Sequence, residues 1–277
     1  MLSLAIPQIN HRSLYDQCVS QTQRNTERAL LVALGDRVAA AGVAYVDAAT
    51  VGGLAALAPI ALADPEDKLV RALYDKRLVD AAGTGRWAYD KIRNSARYCP
   101  YCTFGEVYEV DHFLHKAAYR ELNVCPANLV PICHACNHIK LVDQPHDSAH
   151  YLLHPYFDVL PAVRWLFADL IFEAGGPVLR YRVELDAALH GNLASRLAYH
   201  FATLELDRRF QERASRLLVE IESDLADNFA LLGSAGMAAH FNGESDRHFS
   251  RHGNSLEAAG YRAAAENYAF CAGQFQN

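Results

Sequence analysis

Two Cys-x-x-Cys pairs constrain the fold of this 277-residue chain more than any other feature. Cys99 and Cys102 form the first pair, and Cys133 and Cys136 form the second, with 30 residues between the pairs. Each pair can chelate a metal through a tight turn, and together the four thiolates match the tetrahedral ligand set of a structural zinc ion. Because a four-thiolate site is closed, it cannot itself activate water. Any chemistry must come from the residues between the pairs.

The charge balance argues against a protein whose whole surface is built to bind nucleic acid. The net charge is −6 at pH 7, and the 51% hydrophobic and 21% charged residues are those of an ordinary globular protein. Residues 91–140 contain six Lys or Arg and four Asp or Glu, so this segment carries +2 and the remainder −8. An excess of +2 fits a phosphate partner and ordinary solvated charges about equally well.

The chain is expected to be cytoplasmic, with no secretion signal and no membrane span. The start, "MLSLAIPQINHR", lacks a basic stretch before its apolar residues. The most apolar run, 48–63, is 16 residues long and is interrupted by Gly52, Gly53 and Pro59. In a reducing cytosol, paired cysteines favour a metal over disulfides. The other cysteines lack paired spacing and are predicted to be small buried residues: Cys18, Cys125 and Cys271.

The apolar pattern of the first 95 residues predicts helices, within a fold that is α+β and mainly helical. Helical periodicity runs over 25–41. A second helix is expected to begin with Asp64 as its N-cap and Pro65 at its first helical position. A third helix, over about 85–95, leads into the first cysteine pair. All three are predicted to bury an apolar stripe in a core.

The C-terminal part is predicted to contain a β-hairpin, helices and a loop. Apolar and charged residues alternate in the second half of 166–185, after a Gly-Gly turn signal at 175 and 176. Helical periodicity returns over 192–232. Residues 233–254 are rich in Gly, Ser and His and are predicted to form an exposed loop.

Two further features of this region have alternative interpretations. The loop histidines at 240, 248 and 252 could bind a metal, but no ligand spacing repeats, which favours an exposed loop. Asn254 and Glu257 resemble a capping box that starts a last helix.

The residues between the cysteine pairs predict the order strand, strand, helix. "EVYEVDH" predicts a short strand that ends at Asp111 and His112. "CPANLVPI" predicts a turn at Asn128 followed by a second strand, and "CHACNHIK" has no helix breaker after Cys133 and predicts a helix. This is the layout of a ββα-metal unit that zinc would pin at both ends.

This segment resembles the HNH nuclease family over residues 98–140. The resemblance rests on "CPYC", the Asp-His pair, "NLVP", the second Cys-x-x-Cys followed directly by Asn137, and Lys140. Two positions depart from the family pattern. His115 stands where the family often has Pro, and Asn137 is a weaker metal ligand than the His found in many members.

The resemblance implies a role for each residue in hydrolysing a phosphodiester. His112 would be the general base that takes a proton from water. Asp111 and Asn137 would hold a catalytic divalent ion, Mg²⁺ or Mn²⁺, with His138 as a less favoured substitute for Asn137. Asn128 would tie the loop that keeps the imidazole oriented. The expected phosphate contacts are Lys116, Lys140 and His115.

The flanks show a looser resemblance to HNH proteins that are encoded beside an ATPase in bacterial anti-phage systems of the Septu and retron-associated kind. It rests on "LLHPYFD" at 152–158 and "RLAYHFATLEL" at 196–206. It implies an ATPase partner that docks on the helical flanks. One centre cuts one strand, so a double-strand break would need two copies or two events, and a homo-oligomer is an open alternative.

Two functional classes follow from the sequence. The first is a metal-dependent HNH endonuclease acting on DNA as an anti-phage effector, which the presence of Asp111, His112 and Asn128 favours. The second is a non-catalytic zinc module that binds nucleic acid or protein. The predicted division by chemistry is 1–95 as a helical region, 96–145 as the HNH unit with its four-cysteine zinc site, and 146–277 as a mixed hairpin and helical region.

Overall fold

The computed structural model describes residues 2–141 and 145–274. The chain divides into two compact units, Met1–Val159 and Leu160–Asn277. Unit 1 combines helices with a two-stranded sheet, and unit 2 combines a second two-stranded sheet with longer helices. The predicted fold class, α+β and mainly helical, is confirmed.

Helices form the N-terminal part of unit 1. They are α1 (His11–Ser20), α2 (Asn25–Thr50), α3 (Asp64–Leu73) and α4 (Arg86–Arg93). Helix α3 continues into a π-helical turn, Tyr74–Val79. The N-cap of α3 is Ala63, one residue before the predicted Asp64, and the Glu66 carboxylate accepts a hydrogen bond from the Ala63 N–H at 2.8 Å.

Helix α2 is long and apolar enough to cross a membrane, by length and composition alone. The core helix of a soluble protein passes the same test, so this is weak evidence. One face of α2 is buried through Leu31, Leu34, Val38 and Tyr45. The sequence analysis placed the most apolar run later in the chain and did not single out this helix. The absence of a membrane span and the cytoplasmic location therefore stay predictions.

One hydrophobic core joins the N-terminal helices to the segment between the cysteine pairs. It contains Leu14, Leu34 and Leu73 from the helices together with Val110 and Leu129. Each fully buried Leu contributes roughly 1.5–3 kcal/mol relative to an exposed one. Residues 1–95 and 96–145 were separated by chemistry in the sequence, yet they share this core within unit 1.

The predicted order of strand, strand and helix is present. Both strands lie between the cysteine pairs, and the helix contains Cys136. Strand β1 (Glu109–His112) pairs antiparallel with β2 (Leu129–Ile132), and α5 (His134–Lys140) follows. The register places His112 opposite Leu129. Two 3₁₀ turns, Arg120–Leu122 and Pro126–Asn128, lie in the connection between the strands. Burial alternates along β1, so Glu109 and Asp111 share the less buried face.

Unit 2 contains the predicted β-hairpin. Strand β3 (Leu166–Glu173) pairs antiparallel with β4 (Gly176–Val183), and Gly176 adopts φ 118° at the turn. The helices of unit 2 are α6 (Ala187–His190), α7 (Asn192–Thr203), α8 (Leu206–His252), α9 (Leu256–Glu266) and α10 (Tyr268–Cys271).

The predicted loop at 233–254 is wrong, because this segment is almost entirely helical. Helix α8 runs through it, with a break at Gly233, where φ is 63° and ψ is 178°. Beyond the break, Met237, Phe241 and Ser245 are buried at four-residue spacing. The Gly, Ser and His content of this segment favoured a loop, so this buried stripe was not predicted from the sequence. His240 lies 3.0 Å from Asp224, an acid on the other side of the break.

The predicted Asn254 capping box is also wrong. Ser255 is the N-cap of α9, and its side chain accepts a hydrogen bond from the Ala258 N–H at 3.2 Å. The Asn254 side chain bonds instead to the backbone before and at the start of β3. Its Oδ1 accepts from the N–H groups of Trp165 and Leu166 at 2.8 and 3.0 Å.

The break in α8 gives a stability prediction. Only Gly adopts the φ and ψ of position 233 without strain, so Gly233→Ala should destabilise the protein by about 1–3 kcal/mol. Gly243→Ala is the matched control, since position 243 is exposed, helical and open to a Cβ. It should stabilise by about 0.5–1 kcal/mol. Chemical denaturation of both variants checks this, and equal effects would contradict the assigned break.

Candidate metal centre and active site

The four predicted zinc ligands come together. The sulfur atoms of Cys99, Cys102, Cys133 and Cys136 all lie within 4.8 Å of one another, and all four residues are buried. Zinc–sulfur bonds of about 2.3 Å in a tetrahedron place sulfur atoms about 3.8 Å apart. The sulfurs of Cys102 and Cys133 are 3.8 Å apart. The residues therefore fit a structural metal ion such as zinc.

Backbone geometry around the first pair shapes the thiolate cluster. The Gly105 N–H donates to the Cys102 sulfur at 3.3 Å, and the Cys99 N–H donates to the Gly105 carbonyl at 2.7 Å. A Cβ at position 105 would lie 2.7 Å from the Cys133 sulfur. A glycine is therefore required at position 105, where the backbone lies against sulfur atoms of both cysteine pairs. The sequence analysis missed it, although a glycine three residues after a Cys-x-x-Cys is a signal it could have used.

The thiols perturb one another. Hydrogen bonds with the neighbouring thiols lower the pKa of Cys102, whereas burial raises the pKa of Cys99. The cluster thus favours some thiolates and penalises others. A divalent cation at its centre would compensate the charge of all four.

His112, the predicted base, ends β1 in a buried position. Its side chain is 3% exposed, and its Nε2 lies 2.9 Å from the Asn123 carbonyl. A carbonyl only accepts hydrogen bonds, so Nε2 carries the proton and Nδ1 keeps the lone pair in the neutral ring. The Tyr74 ring packs edge-on at 4.4 Å, and burial lowers the pKa of His112 to about 4. The imidazole is neutral at pH 7.

Asn128 clamps the connection that follows His112. Its Oδ1 accepts from the Leu114 N–H at 2.7 Å, and its Nδ2 donates to the Leu114 carbonyl at 3.1 Å. The Phe113 N–H donates to the Asn128 carbonyl at 2.7 Å. These bonds fix the backbone just beyond the imidazole. That Asn128 keeps the imidazole oriented for catalysis stays a prediction.

Asn123 is a second buried amide beside the imidazole. The residue is 0% exposed, and neither polar atom of its side chain has a hydrogen-bond partner among residues 2–141 and 145–274. Its backbone carbonyl is the group that orients His112. A buried unsatisfied amide destabilises a fold, and such groups call for an explanation beyond packing.

Asp111, the predicted metal ligand, lies on the other face of β1 from His112 and is 17% exposed. Its Oδ2 is 2.8 Å from the Lys140 ammonium. Lys140 also donates to the His112 carbonyl at 2.8 Å and is only 3% exposed. The ammonium of Lys140 therefore lies inside unit 1, not on the surface where a phosphate contact was expected.

Asn137 contacts an acid that the sequence analysis did not select. Its Nδ2 donates to the Glu109 carboxylate, and His134 Nδ1 lies 2.8 Å from the same carboxylate. Glu109 shares a strand face with Asp111, two residues away. The structure thus brings Asn137 to Glu109, with Asp111 next along that face. The alternation in "EVDH" was the signal that could have identified Glu109.

The remaining predicted phosphate contacts are partly engaged within the chain. The Lys116 ammonium lies 3.2 Å from Asp75, and the Lys116 side chain is 40% exposed. His115 Nδ1 accepts from the Ala117 N–H at 3.2 Å, and burial lowers the pKa of His115. Lys116 is accessible to a nucleic acid, whereas the His115 side chain is half-buried.

The "LLHPYFD" segment packs against residues next to and opposite His112. His154 stacks on Phe113 with ring centroids 4.1 Å apart, and its Nε2 lies 2.8 Å from the Tyr45 hydroxyl. The Tyr156 hydroxyl donates to the carbonyl of Leu129, the residue opposite His112, at 2.7 Å. His154 and Tyr156 are buried, so in this structure they pack and position other groups.

About half of this chain is similar in sequence to a phage protein. The chain is 32% identical over 158 residues to "Protein ea31" of Escherichia phage lambda. The match covers 54% of this chain and 52% of the phage protein, so the chain spans about half the length of that relative. No protein-family model matches, and no solved structure matches. The name of the phage protein states no activity.

The thiolate cluster predicts one zinc per chain. Cys133→Ser should remove the zinc and unfold the segment around it, because structural zinc in small modules contributes on the order of 10–16 kcal/mol of apparent folding free energy. Cys271→Ser is the control, since Cys271 is also buried but lies outside the cluster and donates to the Ala264 carbonyl at 3.2 Å. Metal analysis and circular dichroism report the result. Zinc-free wild type with an intact fold would contradict it.

A matched pair of asparagines tests the clamp. Asn128 and Asn123 are both 0% exposed, but of the two only the Asn128 side chain makes hydrogen bonds to the part of the chain that the structure describes. Asn128→Ala leaves a buried donor and acceptor of Leu114 unpaired, and should cost about 2–4 kcal/mol more than Asn123→Ala. Urea unfolding measures both variants. Equal losses would mean that the clamp contributes nothing beyond packing.

Proposed function

We propose that this chain is a zinc-containing, metal-dependent endonuclease of the HNH kind, which hydrolyses phosphodiester bonds of DNA. The observation that carries the proposal is the position of His112. The neutral imidazole ends β1, its Nε2 is fixed by the Asn123 carbonyl, and the next backbone segment is clamped by Asn128. In the same unit, four cysteines fit one structural zinc ion.

The imidazole meets one requirement of a general base, since it is neutral at pH 7. In the proposed reaction, the oxygen of water bonds to phosphorus, the bond from phosphorus to the 3′ oxygen breaks, and the water proton moves to Nδ1 of His112. A base must be neutral to accept this proton, and burial keeps His112 neutral. The Asn123 carbonyl then stabilises the charged ring, because it already accepts from Nε2.

The less buried face of β1 supplies oxygen ligands for the proposed divalent ion. Asp111 and Glu109 offer carboxylates, and Asn137 offers an amide oxygen, which suits Mg²⁺ or Mn²⁺. Such an ion, when bound, would neutralise charge on the phosphate and on the leaving oxygen. The hydrogen bond from Asn137 Nδ2 to the Glu109 carboxylate fixes the amide group. The amide oxygen takes no part in this bond.

A protein partner, of the ATPase class that the looser resemblance implies, is part of the proposal. Of the charges in 91–140, Lys140 is buried and Lys116 is paired with Asp75. The whole chain also carries a net charge of −6, so DNA binding by the chain alone should be weak. A partner would supply further cationic surface. Self-association would allow both strands to be cut.

A second candidate, a non-catalytic zinc module, is favoured by a different observation. His112 is 3% exposed, and the Asp111 carboxylate is paired with an internal ammonium. A polar network satisfied within the chain is also what a purely structural unit contains. The two candidates differ in whether His112 is needed for phosphodiester cleavage.

Cleavage by two histidine variants separates the candidates. His112→Ala should lower the single-turnover rate of plasmid nicking with Mn²⁺ by about 10²–10⁴-fold, with zinc content retained. His146→Ala, which removes an exposed imidazole outside the proposed site, is the control and should cleave within about threefold of wild type. Equal rates for wild type and His112→Ala would reject the proposed base, and a wild type that never cleaves would favour the non-catalytic module.

The partner proposal has its own test. The chain should nick DNA slowly alone and at least about tenfold faster when reconstituted with an ATPase encoded beside it, at the same salt concentration. The difference should narrow at low salt, where weak DNA binding is strengthened. The same rate with and without the partner, or no physical association, would return the proposal to a free-standing nuclease.

A further inference from the structure

Lys140 links the two residues proposed as metal ligand and base. Its ammonium lies 2.8 Å from Oδ2 of Asp111 and 2.8 Å from the carbonyl oxygen of His112. Both acceptors belong to the end of β1, whereas Lys140 belongs to the last turn of α5. One charged group therefore connects the helix to both members of the Asp-His pair.

The burial of this ammonium needs an electrostatic explanation. Lys140 is 3% exposed, and removing an ammonium from water is costly unless a charge partner compensates it. A methionine would fill similar space without that cost. The surface role of contacting phosphates does not account for a side chain placed inside the unit. Asp111 is the charged partner that the structure provides.

Only part of the Asp111 carboxylate faces Lys140. Oδ2 is buried, and its contact with the ammonium lacks the directionality of a hydrogen bond, so it is mainly electrostatic. The Asp111 side chain nevertheless retains 17% exposure, which must come from atoms other than Oδ2. A cation arriving from solvent would therefore reach Asp111 away from the atom that Lys140 occupies.

We propose that Lys140 is a fixed internal cation that shares Asp111 with the catalytic divalent ion. It holds Asp111 and the His112 carbonyl together before the ion binds, and it weakens the binding of that ion by charge repulsion. This inference rests on the proposed divalent site. A bound phosphate would offset the two positive charges, so the site would take up its ion mainly together with nucleic acid.

Electrostatics sets the size of the expected effect. Repulsion between a single and a double positive charge about 5 Å apart weakens binding by about tenfold, even at the dielectric constant of water. The repulsion is larger at the lower dielectric constants that apply inside proteins. Replacing Lys140 by an uncharged residue should therefore tighten divalent-ion binding by at least about tenfold. A purely supporting role would weaken binding instead, because Asp111 would lose its orientation.

The test measures Mn²⁺ affinity by electron paramagnetic resonance, without nucleic acid, on zinc-loaded full-length protein. Lys140→Met should bind Mn²⁺ at least about tenfold more tightly than wild type. Lys140→Arg keeps the charge and should stay within about threefold of wild type. Lys68→Met is the charge-matched control, since Lys68 is exposed and pairs with Asp64 instead. It should leave the affinity within about threefold of wild type.

The outcomes separate this inference from the proposed function. If Asp111→Asn abolishes Mn²⁺ binding but Lys140→Met binds no more tightly than wild type, Lys140 does not oppose the ion and the inference fails alone. If no form binds Mn²⁺ through Asp111, the inference and the proposed divalent site both fail. If Lys140→Met loses its zinc or its fold, the proposal is tested on the wild-type protein instead. Mg²⁺ addition must then shift the ¹³Cε resonance of Lys140, and an unchanged resonance overturns the proposal.

Discussion

Four thiolates that converge on one point are the constraint on which the rest of unit 1 depends. Cys99 and Cys102 belong to a loop before β1, and Cys133 and Cys136 begin α5, so one ion would tie both ends of the segment that carries β1 and β2. Two strands of four residues each are too short to be stable alone. The hydrophobic core shared with α1 to α4 supports this sheet, and the four-cysteine cluster would hold it further when a metal is bound. The two strands and α5 are called the platform below.

The platform carries an unusual concentration of buried polar groups. His112, Asn128, Asn123 and Lys140 are each 3% exposed or less. Apolar side chains at these positions would avoid the cost of desolvating a charge and of leaving the Asn123 amide unpaired. Such local costs are expected where a fold serves a site. A purely structural unit also contains such a network, so the proposed activity is tested by whether cleavage needs His112.

Sequence reasoning was most successful where spacing alone determines geometry. The cysteine spacing predicted the cluster, the alternation in "EVDH" predicted β1, and the turn signal at 175 and 176 predicted the hairpin. It failed where tertiary contacts decide. Lys140 was predicted to contact phosphates, and only the fold shows that it is buried beside the Asp111 carboxylate. The segment 233–254 was assigned to a loop by composition, although Met237, Phe241 and Ser245 bury one helical face.

The central claim is that this platform hydrolyses a phosphodiester with water as the nucleophile. The most direct measurement is the chemistry of the product ends after cleavage of DNA in ¹⁸O-labelled water, by zinc-loaded protein with Mn²⁺. The account predicts 5′-phosphate ends that carry ¹⁸O and unlabelled 3′-hydroxyl ends, because the bond to the 3′ oxygen is the one that breaks. Ends bearing a 3′-phosphate, unlabelled 5′-phosphates, or no cleavage with zinc and the divalent ion both present, would contradict it.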